Sequence, residues 1–205
     1  MVKSKTVFVC QECNRESSGW LGKCPACQSW NSYTEKLVTP VRKPSGISAD
    51  SAPPESLATV TGRNESRIQT GIGELDRVLG GGIVPGSLVL TGGEPGIGKS
   101  TLLLQAAARI AGSAGKVVYI SGEETASQVK IRARRLGITG TDLFIMAETD
   151  LDIALEHTAR INPVMLVVDS IQSVCTSEAD TLPGSLNQLR FSTQRLMRWA
   201  KSSQC

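Results

Sequence analysis

From Arg67 onward the chain alternates short aliphatic runs with longer stretches in which apolar residues recur every three or four positions, the pattern of strands alternating with helices. Residues 87–91, "SLVLT", read as a buried strand that enters a glycine loop and then "STLLLQAAARIA", whose leucines and alanines favour helix. A second strand is expected at 116–121, "KVVYIS". In the following "EETASQVKIRARRLG", Ala126, Val129, Ala133 and Leu136 share one helical stripe and Gly137 supplies a stop. A third strand is expected at 143–146, a helix at 151–160, and a fourth strand in "PVMLVVDS", whose aliphatic run suits a parallel strand covered on both faces. The final helix, 185–201, is expected to turn Leu186, Leu189, Leu196 and Ala200 inward. Strands and helices in this order predict an α/β fold on a mostly parallel sheet flanked by helices. Such a helix should feed another strand, and the sequence stops at "KSSQC", so the expectation is a piece of something longer.

Ahead of this core the pattern is different. Residues 1–36 are rich in cysteine, and 37–66 are rich in Pro, Ser, Thr and Ala with few large apolar groups. The second stretch buries too little to offset its ordering entropy and reads as a flexible linker, leaving 67–205 as the core domain. With 40% hydrophobic and 20% charged residues the 205-residue chain is of ordinary globular composition. Its longest aliphatic run near a strand, "VMLVV", is too short to span a membrane. Its start lacks the apolar segment of a secretory signal, so a cytoplasmic location is expected. The net charge of +3 falls within residues 1–68, where nine Lys/Arg meet six Asp/Glu. So small an excess points no more to nucleic acid than to a solvated surface.

The glycine loop carries the sharpest chemistry. Gly93, Glu94, Pro95, Gly96, Ile97, Gly98, Lys99 and Ser100 read G-x-x-x-x-G-K-S, with Thr101 next. A strand that turns through such glycines into a helix aims backbone N–H groups inward and adds the positive helix terminus, which makes an anion cradle. In that context Lys99 reaches the β- and γ-phosphates of ATP and the Ser100 hydroxyl ligates Mg²⁺. The metal also needs a carboxylate at the end of a nearby strand, and Asp169 supplies it. Hydrolysis needs a group that orients or deprotonates water. Glu123 follows a strand and is the candidate, whereas Glu124 is expected only to start the next helix, as both would on the structural reading. Gln172 either senses the γ-phosphate or is a packed polar residue at a strand end.

Cys10 and Cys13, then Cys24 and Cys27, form two C-x-x-C pairs ten residues apart. Two such turns complete a tetrahedral Cys₄ site for structural Zn²⁺ with no open position for catalysis. Trp20 and Trp30 are expected to pack against these knuckles rather than to stack on nucleic acid; Cys175 and Cys205 are ordinary thiols.

Taken together, "FVCQEC", "WLGKCPAC", "TGIGELDRVLGGGIVPGSLVLTGGEPGIGKSTLLLQ", "YISGEE", "QVKIRARRLG" and "VVDSIQSV" resemble the bacterial RadA (Sms) family of RecA-like ATPases over nearly all of the chain outside the linker. The resemblance implies a RecA-like P-loop ATPase core, a hexameric ring, binding of single-stranded DNA, and processing of branched recombination intermediates alongside the RecA recombinase. By position it implies Cys10, Cys13, Cys24 and Cys27 as zinc ligands, residues 93–101 as the nucleotide loop, Glu123 as the catalytic carboxylate and Asp169 as the Walker B residue. It also implies a DNA-contacting loop in "CTSEADTLPGSLNQ", which a plain surface loop would match equally in composition. Family members continue with further core strands, a Lys-Asn-Arg-Phe-Gly motif and a Lon-like domain, none of which occurs in these 205 residues. Two other functions stand beside the motor: a KaiC-like regulatory autokinase, which shares "ELDRVLGGGI", and a zinc-knuckle adaptor that docks a recombinase.

Overall fold

The computed structural model describes residues 5–38, 56, 66–179 and 181–205, which fall into two compact units, Met1–Thr61 and Gly62–Cys205. Of the expected linker, 37–66, only residues 37, 38, 56 and 66 lie within the described residues.

The first unit is a three-stranded antiparallel sheet, β1 (Lys5–Cys10), β2 (Glu16–Ser17) and β3 (Tyr33–Val38), in the order β2-β1-β3. Cys10 stands opposite Tyr33 in the β1–β3 ladder, which delivers the first cysteine to the end of a strand. β3 runs to Val38, two residues beyond the boundary expected at 36. Its core is small: Cys10, Cys24 and Tyr33 are buried, with Phe8 packed against them. At roughly 1.5–3 kcal/mol per large buried side chain this is a weak driving force. A bound structural metal supplies ~10–16 kcal/mol to modules of this size.

The second unit opens with a short helix, α1 (Gly73–Val78), and continues α2 (Lys99–Ser113), β4 (Val117–Ser121), α3 (Ala126–Arg135), β5 (Leu143–Ala147), α4 (Leu151–Ile161), β6 (Met165–Asp169) and α5 (Leu186–Ser203). The three strands are parallel in the order β5-β4-β6, and Ser121 lies level with both Ala147 and Asp169. All five residues of β4 are buried. Val117 and Tyr119 pack with Leu104, Ala107 and Ile110 of α2, whereas Val118 and Ile120 pack with Ala154 of α4. This two-residue alternation between two helical layers explains why the strand reads as one aliphatic run.

Three expectations fail, each for a physical reason. Residues 87–91 form no strand: Leu88, Val89 and Leu90 are exposed, Leu90 by 84%. Strand propensity needs a neighbour to hydrogen-bond with, and among the described residues none pairs with this segment. On α5, Leu196 and Ala200 are buried as expected, but Leu186 is exposed, while Gln188 and Ser192 take inward positions. Gln188 is inward because its Oε1 accepts from the Thr176 N–H while its Nε2 donates to the carbonyls of Thr176, Ala179 and Thr181. Ala126 of the α3 stripe is likewise exposed, in the first turn of its helix. β6 is an edge strand, yet it is covered on both faces as its aliphatic run suggests, with Met165 and Val167 packed against the α2 cluster and Leu166 and Val168 against the clusters around Ala154 and Leu151.

Asp152 ties α4 to α5 and to the chain after β6. It accepts from Thr176 Oγ1 (2.9 Å), Ser177 N (3.1 Å), Ser177 Oγ (3.0 Å) and Arg195 Nε (3.1 Å). Burial disfavours its charge, but the hydrogen bonds from Arg195, Thr176 and Ser177 outweigh it and hold the carboxyl at about 2. A lowered folded pKa stabilises above the ordinary carboxylate range and ceases to do so as pH falls from about 4 towards about 2. Asp152→Ala is expected to lower stability at neutral pH by about 1–3 kcal/mol, because it strands several donors. Urea unfolding of both proteins at pH 7 and near pH 2 checks this, with the difference shrinking at the acid end.

Candidate functional site

The parallel register decides where side chains emerge. With Ser121 level with Asp169, the chain leaves β4 and β6 at the same sheet edge, and Gly122 N donates to Asp169 O across it (3.1 Å). Gly122 has no room for a side chain: a Cβ there would lie 2.2 Å from Ser173 Oγ. Glu123 and Glu124 follow on one strand and Ser170 on the other, while the start of α2 approaches the same edge. Ser100, Ser121, Glu123, Glu124, Arg132 and Asp169 line a cavity of about 150 Å³ there.

The glycine loop enters α2 through left-handed backbone at Gly96 (φ +80°) and Gly98 (φ +102°). A Cβ at either would meet nothing within 4 Å, so the backbone angle, not crowding, calls for glycine. No side chain caps α2, in contrast to Thr125, Asp150 and Ser185 on α3, α4 and α5. The first N–H groups of α2 therefore have no side-chain acceptor, as an anion-binding terminus requires. Lys99 Nζ donates to the carbonyls of Gly93 and Glu94, both at 2.9 Å, and so braces the loop. Glu94, Pro95 and Ile97 are exposed. Thr101 is half-buried in the first turn of α2.

Ser100 Oγ donates to Asp169 Oδ1 at 3.0 Å across 69 positions of sequence. Two neighbouring oxygen ligands of octahedral Mg²⁺, each at about 2.0–2.1 Å, lie about 2.9 Å apart, so this pair fits such an ion. Glu123 Oε1 accepts from Ser170 Oγ at 2.7 Å. Lys99 and the glycines do not line the cavity that holds Ser100, Glu123 and Asp169. Gln172 is exposed in the turn after β6.

Glu124 departs from its expected role. The α3 cap is Thr125, reciprocally bonded with Gln128, and no acidic residue occupies the first turn. Glu124 Oε2 instead lies 2.9 Å from Arg132 Nη2. The same nitrogen donates to Tyr119 Oη (3.2 Å), and Tyr119 Oη donates to Asp169 Oδ2. Burial first, and then this hydrogen bond, push the Tyr119 phenol above its usual value and keep it a neutral donor. Sequence reasoning missed Tyr119, Arg132 and Ser170. The available signal was a tyrosine in the middle of an otherwise aliphatic buried strand, whose hydroxyl must find a partner.

In the first unit the sulfurs of Cys10, Cys13, Cys24 and Cys27 all lie within 4.8 Å of one another, with Cys10–Cys27 at 3.6 Å and Cys13–Cys24 at 3.5 Å. Tetrahedral Zn²⁺ with Zn–S near 2.3 Å sets its sulfurs about 3.8 Å apart, so the cluster fits zinc with little adjustment. The two knuckles share one geometry. Asn14 N donates to Cys10 O and Gln28 N to Cys24 O, each at 2.8 Å, and Asn14 and Gln28 both take left-handed backbone. The Cys27 backbone N–H, opposed by burial and reinforced by the Tyr33 hydroxyl, brings the Cys24 thiol down to about 5. The Ser32 hydroxyl is the main influence lowering Cys10. Both shifts favour the thiolates that bind metal. At Cys13 the Arg15 N–H is outweighed by burial and the neighbouring thiols, which push the thiol up to about 12, as expected when four sulfurs compete without a cation between them. Trp20 and Trp30 do not pack into this unit: they are 57% and 71% exposed, and Lys23 Nζ sits 5.4 Å from the Trp30 ring centre. Tyr33 and Phe8 already fill the space beside the buried cysteines.

Two family models match the chain: the KaiC ATPase over residues 68–153, and the rubredoxin metal-binding domain, a zinc ribbon, over residues 8–35. DNA repair protein RadA of Halalkalibacterium halodurans is 50% identical over 99% of this chain and 45% of its own length. The proteins of that name from Bacillus subtilis and Listeria monocytogenes are each 45% identical over 98% of this chain and 45% of their own lengths. The chain thus spans less than half the length of the curated relatives it matches.

One zinc per chain is expected by elemental analysis, and Cys24→Ser is expected to lose it together with the β1–β3 sheet, seen by circular dichroism. Because protons compete with the metal for the four sulfurs, acid titration should release the zinc together with the sheet.

Proposed function

This chain belongs to the RadA family, and on that premise we propose that it carries the nucleotide-binding region and zinc module of an ATP-driven motor for recombinational DNA repair. The observation that carries the proposal is the meeting of Ser100 Oγ with Asp169 Oδ1, with Glu123 on the same cavity wall. The motor activity is assigned to the complete protein, since the relatives extend well beyond the matched region.

In this reading the loop N–H groups of residues 93–101 and Lys99 hold the triphosphate, and two of the three Lys99 ammonium donors already brace the loop. Ser100 and Asp169 hold Mg²⁺, which when bound neutralises charge on the phosphate oxygens. Glu123, oriented by Ser170, accepts a proton from the attacking water. Turnover shifts loops, the stretch 175–185 that leads into α5 among them, that grip single-stranded DNA in a hexameric ring, and the motor extends heteroduplex at branched intermediates with the RecA recombinase. The name shared by the relatives supports the repair role, and action in the cytoplasm is part of the same proposal. Among the described residues no helix is long and apolar enough to cross a membrane.

Two observations favour companion readings. The KaiC match supports a regulatory autokinase, for which transfer of labelled phosphate from ATP to the protein is the distinguishing result. The exposed Trp20 and Trp30 support an adaptor role for the zinc module, compatible with the motor and tested by capture of RecA on the complete protein with and without both tryptophans.

The complete protein is expected to hydrolyse ATP faster with single-stranded DNA. Lys99→Ala is expected to lower that rate roughly 100-fold or more, the cost of removing one electrostatic stabiliser. Glu123→Gln should lose a similar factor while still binding ATP. Coupled ATPase assays and nucleotide-binding titrations check both; turnover unchanged by DNA and by Lys99→Ala would reject the motor.

A further inference from the structure

Asp169 has two oxygens with separate commitments. Oδ1 meets Ser100, while Oδ2 accepts from Tyr119 Oη and lies 3.7 Å from Arg132 Nη2. Tyr119 is fully buried at the centre of β4, where phenylalanine would pack as well; its hydroxyl is held between an acceptor on β6 and a donor on α3. Arg132 is in turn anchored by Glu124, adjacent in sequence to Glu123. A carboxylate attached to one strand end can rotate about its last bond and offer either oxygen. With Oδ2 pinned from the sheet side, rotation is blocked and Oδ1 stays turned to the start of α2.

We propose that Tyr119 is a positioning residue for the metal-side carboxylate: its hydroxyl, braced by Arg132, fixes Oδ2 of Asp169 so that Oδ1 is presented beside Ser100 Oγ to the Mg²⁺ of a bound nucleoside triphosphate. The inference rests on the reading that Ser100 and Asp169 face that ion. Tyr119, which does not line the cavity, touches neither nucleotide nor metal in this scheme, and Arg132 on the cavity wall contributes through its contacts with Tyr119, Glu124 and Asp169. They act through the orientation of one carboxylate, so their removal weakens the metal-dependent part of binding and leaves the phosphate loop as it was.

The test uses the complete protein and a fluorescent ATP analogue, titrated once in EDTA and then at fixed nucleotide with increasing Mg²⁺. In Tyr119→Phe the affinity in EDTA is expected to stay within about twofold, and the Mg²⁺ concentration for half-maximal binding to rise about tenfold, the scale of one lost hydrogen bond to a charged group. Arg132→Gln, made on α3 outside the sheet, is expected to shift the same half-point in the same direction and decides the matter if Tyr119→Phe does not fold. Loss of affinity in EDTA equal to that in Mg²⁺ would mark a general structural role and overturn the proposal. Ser100→Ala separates this inference from the reading beneath it. A Mg²⁺ half-point raised in Ser100→Ala but unmoved in the folded Tyr119 or Arg132 variant overturns the positioning role alone, whereas no shift in any of them overturns the metal site as well.

Discussion

The second unit depends on what one carboxylate can accept. Asp169 ends β6, yet its two oxygens collect the Ser100 hydroxyl from α2 and the Tyr119 hydroxyl from β4, with Arg132 of α3 close behind. Four elements are thereby referred to one point at the sheet edge. A carboxylate has about four lone-pair directions and no donor, so only an ionised aspartate can serve two hydroxyls and a guanidinium together. An amide would turn a donor towards one of these groups, and a buried phenol left without its acceptor loses more than the modest net gain of an ordinary hydrogen bond. The chemistry of the site and the cohesion of the sheet edge are therefore the same set of contacts.

That convergence is a consequence of parallel pairing. Because β4 and β6 run the same way with Ser121 level with Asp169, whatever follows each strand appears at a common edge. Gly122 lets the two exits approach closely, and its N–H bonded to Asp169 O keeps them in step. The Ser170 hydroxyl then reaches Glu123 from the neighbouring exit. Sequence distance is irrelevant to this geometry; the ladder register sets it.

Much of this arrangement was legible in the sequence because it depends on fixed local spacing. The glycine loop needs its glycines where the backbone turns left-handed, and each cysteine pair needs two intervening residues for one turn. The aliphatic runs at 117–121 and 165–169 announced a parallel sheet. What escaped was set by tertiary partners. Residues 87–91 have strand composition but nothing to pair with among the described residues, so composition misled. Gln188 points inward because three carbonyls of residues 176–181 converge on its amide, which no helical period can reveal. The tryptophans of the first unit, expected to pack against the knuckles, stay exposed because the core there is too small to enclose them. Glu124 was given to a helix start, although Thr125 already supplies the cap and Arg132 offers the stronger partner.

The two units also meet a shared electrostatic problem with the same backbone device. Negative charge must be concentrated in a small space, on thiolates in one and, under the proposed function, on phosphates in the other. In both, left-handed residues sit beside the anion site: Asn14 and Gln28 after the knuckles, Gly96 and Gly98 before α2. Such residues turn successive N–H groups to one side, so that fixed dipoles face the anion without the entropy loss of ordering long cationic side chains. The knuckles need this conformation at only one residue each and tolerate Asn and Gln, whereas the loop needs it repeatedly and uses glycine. That difference in demand explains why the phosphate loop is the more recognisable of the two from glycine placement, and why the metal site is recognised from its ligands instead.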